Sequence, residues 1–332
     1  MGTAELSCAS LEILARDKQF SVAAVVTQPD KPRGRHLKWQ PSPVKSLALK
    51  LKLPVLQPPR ARDEQFIAEL RGLKPDLIIV AAYGHILPQT ILDLPKFGCL
   101  NVHTSLLPKY RGAAPIQWAI ANGETETGVT VMKMDAGLDT GPIVSQRRTP
   151  ILPADDSATL HERLAQLGAE LLAQTIPDFV AGKIQPQPQS AEGASHAPKI
   201  KKEGGDIDWK LPAKTILNRL RAFTPWPGVF TFLPGETEPQ IIRATTNPKK
   251  SLPIIVAPRP PRMLKIWKAE PAGLSGKSGQ ILSADKTGVV VGCGQGALRI
   301  LELQIEGGRR MGAAEFLAGH ALTAGEKFET QA

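Results

Sequence analysis

The chain has 332 residues and 42% hydrophobic content, enough for two domains with sizeable cores at roughly 100–200 residues each. Its three cysteines, Cys8, Cys99 and Cys293, stand far apart in apolar runs, which argues against a disulfide scaffold or a cysteine metal site and fits free thiols in the cytoplasm. The formal charge of +10 is concentrated in residues 201–332, where 19 Lys+Arg face 12 Asp+Glu, and such a surplus points to a polyanionic partner.

No apolar run approaches the ~18 residues of a membrane span, so no membrane attachment is expected. The opening MGTAELSCAS lacks the basic and apolar regions of a secretory signal. Residues 4–16 place Leu6, Leu11, Ile13 and Leu14 on one side and predict an amphipathic helix. FSVAAVVT at 20–27 is apolar and β-branched, as in a strand buried on both faces. The prolines, glycine and charges of QPDKPRGRHLKWQPSPVK at 28–45 predict a loop presenting Lys31, Arg33, Arg35 and Lys38. Ser42-Pro43 opens the next helix with a cap and a first-turn proline. A short helix at 64–70 precedes DLIIVAAY at 76–83, which reads as a buried parallel strand ended by Gly84.

The stretch GCLNVHTSLLPKYRGAAPI at 98–116 organises the rest. Asn101 and His103 sit two apart on a short strand and share one face. Pro108 ends any regular pairing. In an open α/β sheet the ligand crevice lies outside the carboxyl ends of the strands, so an amide and an imidazole converge where a carbonyl can be gripped. Alone, an Asn-x-His pair more often closes a turn. A second polar, glycine-bounded stretch, MDAGLDTG at 134–141, carries Asp139.

Strands at 128–134 and 142–146 flank that loop, and a helix at 157–180 carries a stripe of Leu160, Leu164, Leu167, Leu171 and Leu172. Strands alternating with helices predict a doubly wound, mostly parallel sheet. Residues 182–198 are polar, proline-rich and aperiodic, and predict a linker. Beyond it come a short helix at 213–221 and strands near 228–233, 240–244, 263–269, 279–284, 288–292 and 298–304, which suit a small OB-type barrel. Residues 245–262 read as an extended hairpin loop, and GCGQG at 292–296 as a turn rather than a nucleotide loop. Trp209 and Trp226 are expected to pack between domains.

The 98–116 stretch and the Asp139 loop together resemble the signature of the folate-dependent formyltransferases. Similarity to the branch of that family acting on methionyl-tRNA extends over nearly the whole chain. It is carried by TQPDKPRGR (27–35), AAYGHILP (81–88), NVHTSLLPKYRGAAPIQWAI (101–120), TGVTVMKMDAGLDTGPI (127–143), IDW (207–209) and RAFTPWPGVF (221–230). The resemblance implies a Rossmann-like formyltransferase domain over 1–181, a linker over 182–200 and an OB-like tRNA-binding domain over 201–332. It also implies a buried strand ahead of the first helix, for which this sequence has no counterpart before Met1.

By the same resemblance Asn101, His103 and Asp139 form the reaction centre. Ser105, Leu106, Leu107 and Pro108 lie along bound 10-formyltetrahydrofolate, with Tyr83, Ile86 and Leu87 walling its pterin. Lys31, Arg33, Arg35 and Lys38 reach initiator methionyl-tRNA; no metal is implied, and a monomer is expected. The chemistry suits the residues. An amine attacks the formyl carbon and charge develops on the formyl oxygen, for which Asn101 and His103 are donors. Asp139 can relay the amine's proton or hold His103 in its useful state. The rival expectations are formylation of an amino-sugar nucleotide or other small amine, and an RNA-binding protein without catalysis.

Overall fold

A computed structural model describes residues 1–33, 38–233, 240–243, 253–256 and 261–329. The first amphipathic segment forms helix α1 (Leu6–Arg16). The apolar run after it is a strand only at β1 (Val25–Val26). The stretch expected as a loop is a hairpin: β2 (Lys31–Arg33) pairs antiparallel with β3 (Lys38–Gln40), Pro32 opposite Trp39. Its base is pinned, because Asp30 accepts from Lys45 Nζ at 2.9 and 2.8 Å and from Gln57 Nε2 at 2.8 Å. Helix α2 (Pro43–Lys50) begins as the sequence dictates, with Ser42 accepting the Lys45 N–H.

β4 (Val55–Leu56) runs parallel to β1. Helix α3 (Glu64–Gly72), capped by Asp63, leads to β5 (Ile78–Val80). Between β1 and β5 lie Met1–Thr3: the Gly2 N–H donates to Val26 O at 2.9 Å and the Ala81 N–H to Met1 O at 3.0 Å. Beside them is a cavity of about 820 Å³ lined by Val22, Val25, Leu73, Ile78, Phe97 and Ile176. Residues 20–24 border this space rather than a neighbouring strand, which is why the expected strand is short.

After helix α4 (Gln89–Leu92), β6 (Cys99–His103) pairs parallel with β5. β7 (Arg111–Gly112) and helix α5 (Pro115–Ala121) follow. β8 (Glu126–Lys133) and β9 (Ile143–Pro150) complete a sheet in the order β5-β6-β8-β9. The β6–β8 and β8–β9 pairs are antiparallel, so parallel pairing stops at β6. The loop joining β8 to β9 is too short for a crossover, which leaves a hairpin as the available connection.

Helix α6 (Ser157–Val180) buries Leu160, Leu164 and Leu172 completely. At Gly168 a Cβ would stand 2.9 Å from Val102 Cγ1 and 3.3 Å from Val129 Cγ1, so the helix backbone rides close on that face of β6 and β8. Strand alternation puts Asn101 and His103 on the opposite face from Val102. The segment expected as a linker is bonded onto this unit. Gln187 exchanges two 2.8 Å backbone bonds with Ile143, and β10 (His196–Ala197) pairs parallel with β7. Its backbone groups find sheet partners that composition does not reveal.

The chain divides into two compact units, Met1–Ala119 with Glu124–Lys199, and Ile120–Gly123 with Ile200–Ala332. In the second, helix α7 (Ala213–Phe223) precedes β11 (Val229–Leu233). β12 (Gln240–Arg243) pairs antiparallel with β13 (Pro253–Val256), so part of the segment expected as a long loop is a strand; most of the rest of 245–262 lies outside the described residues. β14 (Arg262–Ala272), β15 (Ile281–Asp285), β16 (Gly288–Gly292), β17 (Ala297–Ile305) and β18 (Met311–Gly312) form an antiparallel sheet with β11, in the order β11-β14-β17-β16-β15 with β18 beside β17. Residues near the C-terminus join its two edges: the Glu329 N–H donates to Phe232 O at 3.0 Å and the Phe328 N–H to Gly279 O at 2.9 Å. Helix α8 (Ala313–Gly319), not foreseen from the sequence, buries Phe316. Trp209, expected between domains, finds its partners inside the second unit: it is 3% exposed, stacks on Phe328 and donates to Thr231 Oγ1 at 3.0 Å. Among the described residues no helix is long and apolar enough to cross a membrane.

Candidate active site

β5 and β6 are parallel neighbours, so the segments after them, Tyr83 to Pro88 and Thr104 to Pro108, emerge at the same end of the sheet. That is where a crevice forms in an α/β fold. Asn101 and His103, at the end of β6, are 9% and 6% exposed. The loop between β8 and β9 brings Asp139 over their face. Asn101 Nδ2 donates to Asp139 Oδ1 at 3.4 Å, and His103 Nδ1 lies 3.7 Å from Asp139 Oδ2. The three residues singled out in the sequence are therefore in one place.

The second nitrogen of His103 fixes its tautomer. Nε2 lies 2.9 Å from the carbonyl oxygen of Tyr110. A carbonyl only accepts, so Nε2 carries the hydrogen. A neutral His103 then presents a lone pair at Nδ1, toward Asp139, and has no N–H left for a formyl oxygen. It becomes a donor there only when Nδ1 is protonated. Asp139 is also held from the other side, because the Gly112 N–H donates to its Oδ2 at 2.9 Å. Gly112 has φ +122°, and a Cβ there would stand 2.7 Å from Ala197 O, so the turn that aims this N–H suits glycine. Asp139 itself sits at φ +53°, in the left-handed region that Asp tolerates better than most residues.

The segment expected along the folate is internally bonded. Ser105 is fully buried and donates from Oγ to Lys109 O at 2.6 Å. Thr130 Oγ1 takes the Leu107 N–H at 3.1 Å and gives its own hydrogen to Ser105 O at 2.7 Å. Gln146 Nε2 donates to Leu107 O at 2.8 Å and to Thr130 Oγ1 at 2.9 Å. Ser105 and Leu107 thus shape the turn from beneath, while Leu106 and Pro108 are half-buried. Of the expected pterin wall, Tyr83 and Leu87 lie in the core with Ile91 and Leu92, and Ile86 stands 87% exposed. Burial pushes the Tyr83 hydroxyl up to about 12. Lys31 and Lys38 are exposed on the β2–β3 hairpin, Arg33 belongs to β2, and Arg35 lies outside the described residues.

Tyr110, Gly112 and Gln189 join the site without having been singled out. The first two fall inside the 98–116 motif, where their contribution is backbone and invisible to a search for side-chain chemistry. Gln189 donates from Nε2 to Asp139 O at 2.8 Å and to Gly141 O at 2.7 Å. It comes from an aperiodic stretch and left no signal.

Two formyltransferase descriptions match the chain: "Formyl transferase" over residues 2–176 and "Formyl transferase, C-terminal domain" over residues 199–321. An N-formyltransferase from Helicobacter canadensis, solved with folinic acid and dTDP-3-aminofucose, superposes with a TM-score of 0.61 at 19% identity, covering 93% of this chain and 97% of its own. The two family matches, on a fold shared with that enzyme, thus define a formyltransferase. The methionyl-tRNA formyltransferase of Geobacter sulfurreducens is 46% identical over 98% of this chain and 95% of its own. That of Caldanaerobacter subterraneus is 48% identical over 98% and 97%. The chain belongs to the methionyl-tRNA formyltransferase family.

Proposed function

We propose that this chain transfers the formyl group of 10-formyltetrahydrofolate to the amino group of methionine on initiator methionyl-tRNA, as a cytoplasmic monomer without membrane attachment. The observation that carries the reading is the convergence of Asn101, His103 and Asp139 in a chain 46% identical, over 98% of its length, to a methionyl-tRNA formyltransferase. The folate-derived donor supplies an activated formyl carbon. A new C–N bond forms to the methionine nitrogen, the bond from that carbon to the donor nitrogen breaks, and one proton passes from the incoming to the leaving nitrogen.

Asn101 has a second amide hydrogen beyond the one directed at Asp139, and it binds the oxygen on which charge develops. Asp139 and His103 Nδ1 face each other at 3.7 Å, too far for a direct bond and near enough for a transferring proton to be shared by both. Asp139 takes the proton of the incoming amine, and His103, once protonated at Nδ1, becomes the second donor to the oxygen. Ile86, a large apolar side chain left in solvent at the crevice, suits the flat face of a pterin. Tyr83, Leu87 and Ser105 to Pro108 support that subsite, Leu106 and Pro108 being the members with exposed surface. Lys31, Arg33, Arg35 and Lys38 contact tRNA phosphates, helped by the basic surplus of residues 201–332.

Purified protein is assayed with 10-formyltetrahydrofolate and charged initiator or elongator methionyl-tRNA. Formylation confined to the initiator supports the proposal. Formylation of an amino-sugar nucleotide in its place overturns it.

A further inference from the structure

We propose that Gln189 is a positioning residue of the reaction centre, locking the Asp139 loop to the strand that supplies the Gly112 N–H. The inference rests on the function proposed above. Both amide hydrogens of Gln189 are used on the loop, on Asp139 O at 2.8 Å and Gly141 O at 2.7 Å. Its Oε1 accepts from Arg111 Nε at 3.0 Å and Nη2 at 2.7 Å. A primary amide has two hydrogens and two lone pairs, so every bonding position is occupied. The reversed amide would set oxygen against two carbonyls and NH2 against a guanidinium, so only one orientation fits.

The bonds close a ring. Asp139 Oδ2 accepts from the Gly112 N–H, Gly112 follows Arg111, Arg111 donates to Gln189, and Gln189 donates to the Asp139 carbonyl. The ring holds Asp139 at its left-handed φ of +53° and sets its carboxylate against His103 and Asn101. Gln189 reaches Asp139 from 50 residues away, by way of a segment held at both ends: Gln187 bonds to Ile143, and β10 pairs with β7. A displacement of about 1 Å at a reacting group can cost on the order of 10² in rate.

Two substitutions test this in the full-length chain. Gln189→Ala removes the clamp. Gln189→Glu keeps the length and the Arg111 partner and places an oxygen against the two carbonyls. Both are expected to lower kcat at saturating substrates by about 10–100-fold, with the KM for tRNA within about twofold of the parent. Gln189→Glu is expected to be the worse, although a simple packing role would favour it over Ala. A second readout needs no turnover: the NMR titration of the His103 ring in the parent, in both variants and in Asp139→Asn. The midpoint should move in the same direction in Gln189→Ala, which adds no charge, as in Asp139→Asn. Parental kcat in both variants, or a His103 titration unmoved in Gln189→Ala while Asp139→Asn moves it, overturns the proposal. An inactive parent with responsive His103 titrations overturns the proposed substrates and leaves the positioning role standing.

Discussion

The imidazole of His103 is assigned by its neighbour rather than by its own chemistry. Tyr110 O binds Nε2–H, so Nδ1 is the nitrogen that faces Asp139. Asn101→Ala and His103→Ala are each expected to lower turnover by about 10²–10³, the usual effect of removing a donor to a developing oxyanion. Asp139→Asn keeps the volume but sets an amide against the Gly112 and Asn101 N–H groups, or loses their acceptor. It is expected to lose turnover as steeply with folding intact. Pairs among the three should lose little more than the worse single variant, because residues that act as one unit lose most of their effect at the first deletion. Single-turnover rates of the single and double variants check this, and a double loss equal to the product of the single losses counts against a shared site. Thr130 serves the same turn through stability. Fully buried, it bonds Leu107 N, Ser105 O and Gln146 Nε2, and Thr130→Val leaves buried groups unpaired at about 1–3 kcal/mol each. A lowered urea midpoint is the expected result.

Among the elements, α6 carries the sheet that presents the site. Gly168 lets it approach Val102 and Val129, so Gly168→Val is expected to overpack that interface and cost about 1–3 kcal/mol in urea unfolding. The helix is anchored at its start by Asp155. Burial alone would raise that carboxyl, yet bonds from Arg163, the Leu152 N–H and Thr159 outweigh it and hold the carboxyl below its ordinary 3.8. A carboxylate lowered on folding stabilises fully above its unfolded value and ceases to do so as the pH falls through its folded value. Acid unfolding below pH 3.8 should therefore lose a component that Asp155→Asn lacks from the outset. Elements of this kind were legible. The leucine stripe of α6, the Ser42-Pro43 start of α2 and the apolar runs of β5 and β6 are local patterns that only one structure satisfies. The β2–β3 hairpin and the segment bearing Gln189 were not, because their order comes from partners distant in sequence and their composition is that of loops. At the candidate site the three side chains that converge, Asn101, His103 and Asp139, could be picked out, whereas the carbonyl of Tyr110 and the N–H of Gly112 could not, since every residue of the chain but proline has the same two backbone groups.

Across the whole molecule the charge is divided between a small site and a broad one. Residues 201–332 carry a surplus of 19 Lys+Arg over 12 Asp+Glu, while the first unit offers Lys31 and Lys38 on a hairpin only a few residues long. The two should behave differently toward tRNA. Counterion release makes binding at every neutralised phosphate weaken with salt, with a slope of roughly 0.7–0.9 in log K per log salt for each one. The KM for tRNA should therefore rise steeply with ionic strength, while the KM for the folate donor stays nearly level. The hairpin is fixed at its base by Asp30, Lys45 and Gln57; Lys31, paired with Gln40, stands at that base, and Lys38, paired with Arg33, stands nearer the turn. Lys31 Nζ spends one bond on Gln28 Oε1 at 2.6 Å, which leaves two hydrogens for a phosphate, and Lys38 is exposed. Lys31→Glu with Lys38→Glu is expected to raise the KM for tRNA at least tenfold at moderate salt. It should also flatten the salt slope by roughly 1.4–1.8, or 0.7–0.9 for each of the two phosphates that the variant no longer neutralises, with kcat at saturating tRNA and the KM for folate nearly unchanged. Activity on a small amine acceptor, where the protein shows any, should not respond, because no phosphate chain is bound. Steady-state kinetics at four or five salt concentrations separates the cases. A double variant with the parent's salt slope would remove the hairpin from tRNA binding and leave the basic second unit to account for it.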